Sequence, residues 1–189
     1  MVFESDATNL VTGDTNGVRD VFVKNMTTGV ISRVSLLPGG GEADADSYAP
    51  SISDDCKKVV FTTDSDLFDE TNDFNSAADV YLVDRDADVN GVLDEWTSSG
   101  GVNVAPMSVG TDNLEADFGG TDGQISGNGA WVVYQSDSDL EANDSNGVTD
   151  VYVRATDPAV DVNERISIRA NASARSEEHT SELQSLRHL

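Results

Sequence analysis

Asp144-Ser145-Asn146-Gly147-Val148-Thr149-Asp150-Val151-Tyr152-Val153 is the last of three copies of one pattern. The others are Asp14-Thr15-Asn16-Gly17-Val18-Arg19-Asp20-Val21-Phe22-Val23 and Asp73-Phe74-Asn75-Ser76-Ala77-Ala78-Asp79-Val80-Tyr81-Leu82. All three read D-x-N-[GS]-x-x-D-V-[FY]-[VL]. Ahead of each lies a second matched block: Val2-Phe3-Glu4-Ser5-Asp6, Val60-Phe61-Thr62-Thr63-Asp64 and Val133-Tyr134-Gln135-Ser136-Asp137. Leu10, Leu67 and Leu140 follow at short range. Two blocks in a fixed order, three times over, define an internal repeat, and a repeat of this size governs the fold.

The repeat reads as strands. Apolar runs end each copy, Val30 to Leu36 alternates apolar and polar, and Thr27-Thr28-Gly29, Asp54-Asp55 and Gly127-Asn128-Gly129 are turn chemistry. Fourth strands are expected at Val30–Leu36, Gly101–Val109 and Glu164–Arg169. Nothing shows sustained helical periodicity. The class is all-β, with about four short antiparallel strands per unit, and four-stranded units repeated radially make a β-propeller. The expected organisation is a blade remnant over 1–37, a blade over 43–109 and a blade over 114–170, a partial propeller of two to three blades. Met1 aligns inside a strand, so the chain is expected to enter the repeat midway. Phe3, Phe61 and Tyr134 are expected at one equivalent buried position, and Phe22, Tyr81 and Tyr152 at another.

Charge narrows the partners. Asp and Glu total 35 against 11 Lys and Arg, a net charge of −24. Such a surface repels nucleic acid and anionic lipid. No apolar run approaches the roughly 20 residues of a membrane helix, so no membrane insertion is expected. Cys56 is the single cysteine, which leaves no intrachain disulfide. Residues 175–189 break with the repeats. Arg175-Ser176-Glu177-Glu178-His179-Thr180-Ser181-Glu182-Leu183-Gln184-Ser185 resembles a translated sequencing-library adapter, and the tail is set aside as non-native. Both histidines, His179 and His188, lie in it. Residues 1–174 therefore offer no Ser-His-Asp or Cys-His pair and no imidazole zinc site.

Pro50-Ser51-Ile52-Ser53-Asp54-Asp55-Cys56-Lys57-Lys58-Val59-Val60-Phe61 resembles the P-x-[IW]-S-x-D-G-[RK]-x-[VI]-[AV]-F core of TolB-like, WD-repeat-like bacterial propellers. Cys56 stands where that pattern has a turn glycine, and Gly127-Asn128-Gly129 replaces Asp-Gly in the third unit. The resemblance implies a non-catalytic recognition or scaffold module of a secreted, periplasmic or envelope-associated bacterial protein, with a protein or carbohydrate ligand. The alternative is the propeller portion of a larger hydrolase, of the prolyl-oligopeptidase or glycosidase type, with its catalytic residues elsewhere.

Calcium is the one cofactor the residues suggest. Asp86-Ala87-Asp88-Val89-Asn90-Gly91-Val92-Leu93-Asp94-Glu95 resembles the start of an EF-hand loop. Asp86, Asp88, Asn90 and Asp94 fall at ligand positions one, three, five and nine, with glycine at six and the Val92 carbonyl at seven. Thr97 stands at twelve instead of the bidentate glutamate, and Glu95 is a substitute. Weaker candidates are the repeat's own side chains: Asp14, Asn16 and Asp20; Asp73, Asn75 and Asp79; Asp144, Asn146 and Asp150. These also suit plain Asx turns, in which the side chain caps its own backbone.

Overall fold

The computed structural model describes residues 1–69, 75–97, 99–110, 116–140, 147–160 and 163–167. Eleven strands fall into three antiparallel meanders. The first sheet holds β1 (Val2–Ser5), β2 (Asp20–Lys24) and β3 (Ile31–Arg33). The second holds β4 (Ser47–Ile52), β5 (Lys58–Thr63), β6 (Asp79–Asp84) and β7 (Asn103–Pro106). The third holds β8 (Thr121–Ile125), β9 (Trp131–Ser136), β10 (Asp150–Ala155) and β11 (Asn163–Arg165). Among the described residues, one 3-10 turn covers Asp66–Asp69. The all-β expectation holds, with two four-stranded blades and one sheet of three described strands.

The register reproduces the repeat. Phe3 opposes Phe22, Phe61 opposes Tyr81, and Tyr134 opposes Tyr152. Phe3 and Phe22 stack at 5.7 Å and Tyr134 and Tyr152 at 5.8 Å. In the second sheet Phe68, from the 3-10 turn, approaches both Phe61 (5.7 Å) and Tyr81 (5.0 Å). Such pairs add about 0.5–1.5 kcal/mol beyond area burial. Five of the six aromatics are buried; Phe3 is only half-buried, which corrects the expectation for it. Its counterparts sit on strands hydrogen-bonded to β4 and β8, whereas β1 pairs with β2 alone. Buried phenol groups are satisfied: Tyr134 donates to Asn163 Oδ1 and Tyr152 to the Ser138 carbonyl, both at 3.0 Å.

The sheets stack in chain order, and strand alternation sorts β5 and β6 onto two interfaces. Val59, Phe61, Tyr81 and Val83 meet Val21, Val23 and Val34 of the first sheet. Val60, Val80 and Leu82 meet Val132, Tyr134 and Tyr152 of the third. A sheet covered on both faces needs apolar residues at consecutive positions, which is why Val59-Val60-Phe61 and Val80-Tyr81-Leu82-Val83 do not alternate. The first strands of the two four-stranded sheets, β4 and β8, carry a bulge at the same repeat position, between Tyr48 and Ser51 and between Thr121 and Gln124. There Ala49 and Asp122 take φ of 51° and 56°. Gly123, beside the second bulge, lies flat on the second sheet. A Cβ there would stand 2.5 Å from Val80 and 2.6 Å from Val60.

One backbone tie repeats at both interfaces. Ser47 N donates to Arg19 O, and Gly120 N to Ala78 O, each at 2.8 Å. The turn before β5 places Cys56 at φ 61°, and its counterpart Gly129 before β9 at φ 70°. A left-handed residue is required there, so the turn glycine of the family pattern has a conformational reason and Cys56 bears the strain of departing from it.

Candidate functional site

The second aspartate of each copy of the repeat pattern is a buried carboxylate: Asp20, Asp79 and Asp150. Each accepts a hydrogen bond from a serine just past the fourth strand. Ser35 Oγ donates to Asp20 Oδ1 at 2.6 Å, Ser108 Oγ to Asp79 Oδ1, and Ser167 Oγ to Asp150 Oδ1. Each serine oxygen in turn accepts from the backbone of the residue after the aspartate. Val21 N, Val80 N and Val151 N approach at 2.9, 3.0 and 3.0 Å. The preceding residue also bonds back: Val34 N to Val21 O, Met107 N to Val80 O and Ile166 N to Val151 O. The fourth strands are therefore shorter than the sequence suggests. They stop at Arg33, Pro106 and Arg165 because the chain turns there to deliver the serine.

This clamp is the feature that sequence reasoning passed over. Its signature is Arg33-Val34-Ser35-Leu36, Pro106-Met107-Ser108-Val109 and Arg165-Ile166-Ser167-Ile168, an apolar-Ser-apolar triplet once per unit. Ser108→Ala should cost about 1–3 kcal/mol, the penalty for stripping a donor from a buried carboxylate and an acceptor from a buried N–H. The urea midpoint at unchanged slope measures it; a shift no larger than that of an exposed serine substitution would deny the clamp its role.

The asparagines of the pattern act as turn caps and cross-ties. Asn16 Oδ1 accepts from Val18 N at 3.4 Å while its amide donates to Ala43 O at 3.1 Å and Asp20 Oδ2 at 3.2 Å. Asn75 Oδ1 accepts from Ala77 N and its amide donates to Ala116 O at 2.6 Å. Ala43 and Ala116 open the next unit in both cases, so one side chain shapes its own turn and fastens the following sheet. Asp73, Asp144 and Asn146, and the adapter-like tail, lie outside the described residues.

In the first unit an arginine joins the clamp. Arg33 Nη1 stands 3.2 Å from Asp14, 3.0 Å from Asp20 and 2.9 Å from Glu42, and Nη2 donates to Gly13 O at 3.2 Å. Glu42 also accepts from Thr15 N and Thr15 Oγ1, at 2.8 and 2.5 Å. Those two bonds, with Arg33, hold its carboxyl down at about 2. Burial pushes Asp14 the other way, up from the ordinary carboxylate value. Arg165 Nη1 repeats the contact on Asp150 at 3.1 Å, and Pro106 occupies that position in the second unit.

The insertion loop is held by local bonds and two cations. Asp86 Oδ1 accepts from Gly91 N at 2.9 Å and its Oδ2 meets Lys57 Nζ at 2.6 Å. The Lys57 contact draws Asp86 below the ordinary carboxylate range and raises Lys57. Asp94 takes Arg85 through two parallel bonds of 2.7 and 2.6 Å. Asn90 gathers the exposed acids, its amide donating to Asp88 Oδ2 at 2.8 Å and Glu95 Oε2 at 2.7 Å, while Asn90 Oδ1 accepts from Val92 N at 2.7 Å. Asp88, Asn90 and Glu95 thus come together. Asp86 and Asp94 are directed to Lys57 and Arg85. Among the described residues no group of three or more His, Cys, Asp or Glu side chains stands ready to hold a metal ion.

Comparison with known proteins adds little. No family model matches the chain, and no curated protein matches it significantly. Among solved structures it is similar to the crystal structure of TolB from Acinetobacter baumannii, with 16% identity and a TM-score of 0.42. The match covers 84% of this chain and 29% of that one, so the chain spans less than a third of the TolB length. The propeller-type reading rests on the chain's own three stacked meanders. Among the described residues no helix is long and apolar enough to cross a membrane.

Proposed function

We propose that the chain is a non-catalytic recognition or scaffold module of the β-propeller type, from a secreted or envelope-associated bacterial protein. The observation that carries this reading is the use of the buried carboxylates. Asp20, Asp79 and Asp150 are committed to the same serine clamp in every sheet, and Asp14 shares Arg33 with Asp20. A general acid or base must exchange a proton with a substrate, and the oxygens of these carboxylates are instead taken up accepting hydrogen bonds within the fold. The family resemblance of Pro50–Phe61 supports the recognition role and the envelope setting. Chromogenic esters, peptides and glycosides should turn over no faster with the protein than in buffer. Turnover abolished by one carboxylate substitution would overturn the reading.

Calcium enters as an ordering ion for the Asp86–Glu95 loop. Asp86, Asp88, Asn90, Asp94 and the Val92 carbonyl supply oxygen ligands, with Glu95 completing the set; the cation replaces Lys57 at Asp86 and Arg85 at Asp94. Exchange of one positive partner for another makes Lys57 a competitor. Calcium at a hundredfold excess over its dissociation constant should add about 2.7 kcal/mol to stability, with magnesium adding less. Lys57→Met should tighten calcium binding and Asp86→Asn should abolish it. An unmoved melting curve with no calorimetric heat would leave the loop to its own ion pairs.

A further inference from the structure

Three exposed apolar side chains of this acidic protein lie against one groove. Met26 and Val30, at the turn joining β2 to β3, are 67% and 61% exposed, and Leu93 of the insertion loop is 37% exposed. These three line one groove of about 580 Å³, a size typical of small-molecule sites. The wall is mostly apolar, and concentrated exposed apolar surface marks binding. Methionine at the rim adapts its shape to what it covers.

The groove also carries positive charge, from the Met1 ammonium, which donates to Lys24 O at 3.1 Å, and from the Lys24 side chain. Lys24 lines it and, among the described residues, makes no ion pair, whereas Lys57 is paired with Asp86. Arg85, also on the wall, is neutralised by Asp94. The local balance is positive in a chain of net charge −24. A half-buried lysine with an apolar stem lies along such a wall and presents its ammonium at the rim. The geometry points to an aliphatic carboxylate as the occupant, its chain against Met26, Val30 and Leu93 and its head group on Lys24.

The inference rests on the recognition-module reading and names the ligand class of one of its surfaces. Decanoate, titrated calorimetrically into the full chain below its micelle concentration, should bind saturably. Decyltrimethylammonium should bind at least about tenfold more weakly, although the chain's net charge favours it. Lys24→Glu should weaken decanoate about tenfold, and Met26→Asp, on the exposed turn where folding is not at stake, should also weaken it. Equal affinity for the two head groups, an affinity unmoved in both variants, or no saturable heat would overturn the assignment. The turnover assay stands apart from this test: catalytic silence without decanoate binding removes the groove ligand alone, and turnover removes the module reading.

Discussion

Phe61→Ala should lower stability by about 3–5 kcal/mol, the range for removing a buried aromatic and leaving its cavity. Phe61 has no exposed surface and stands between the second sheet's own Phe68 and the valines of the first. Its loss opens a void that three elements share, and rigid strands on both sides limit collapse into it. A domain holds only about 5–15 kcal/mol in total, so this one change removes a large fraction. Phe3→Ala, at the same repeat position, should cost less because Phe3 is only partly buried. Chemical denaturation of both variants measures the pair. Equal losses would mean that the repeat position, and not the covering sheet, sets the energetics.

That contrast shows what the sequence could and could not say. Phe3, Phe61 and Tyr134 were placeable because each sits a fixed distance from apolar neighbours on one strand, and period-two alternation sets its face. Cover comes from other strands and is invisible to local pattern, so the incomplete burial of Phe3 could not be read. The clamp serines were hidden for a related reason. Ser35, Ser108 and Ser167 lie 15, 29 and 17 residues beyond their aspartates, and the second interval contains the Asp86–Glu95 loop. A small polar residue at a variable interval has no periodic signal. For Asn16 and Asn75 the Asx turn was foreseeable from two-residue chemistry. The bonds to Ala43 and Ala116 were not, since only sheet stacking brings those carbonyls near.

Arg33→Met should cost about 3–5 kcal/mol at neutral pH, the penalty for stranding buried charge. One guanidinium faces Asp14, Asp20 and Glu42, and its removal leaves three carboxylates facing one another, two of them buried. The pH dependence identifies the cause. In the wild type Glu42 has a folded value near 2 against 4.5 ordinarily, so its contribution is fully present above 4.5 and is lost as pH falls toward 2. Asp14 runs the opposite way. Its raised folded value means that stability falls as pH climbs from 3.8 through that value and returns on acidification. Without Arg33, Asp14 loses the attraction that opposes its burial, so its protonated form is favoured further. The gap between wild type and variant should therefore be widest at neutral pH and narrow below pH 4.5. Urea titrations at pH 7 and pH 4 measure it. A gap that stays constant between them would assign the loss to Arg33's packing, and the charge account of this cluster would fail.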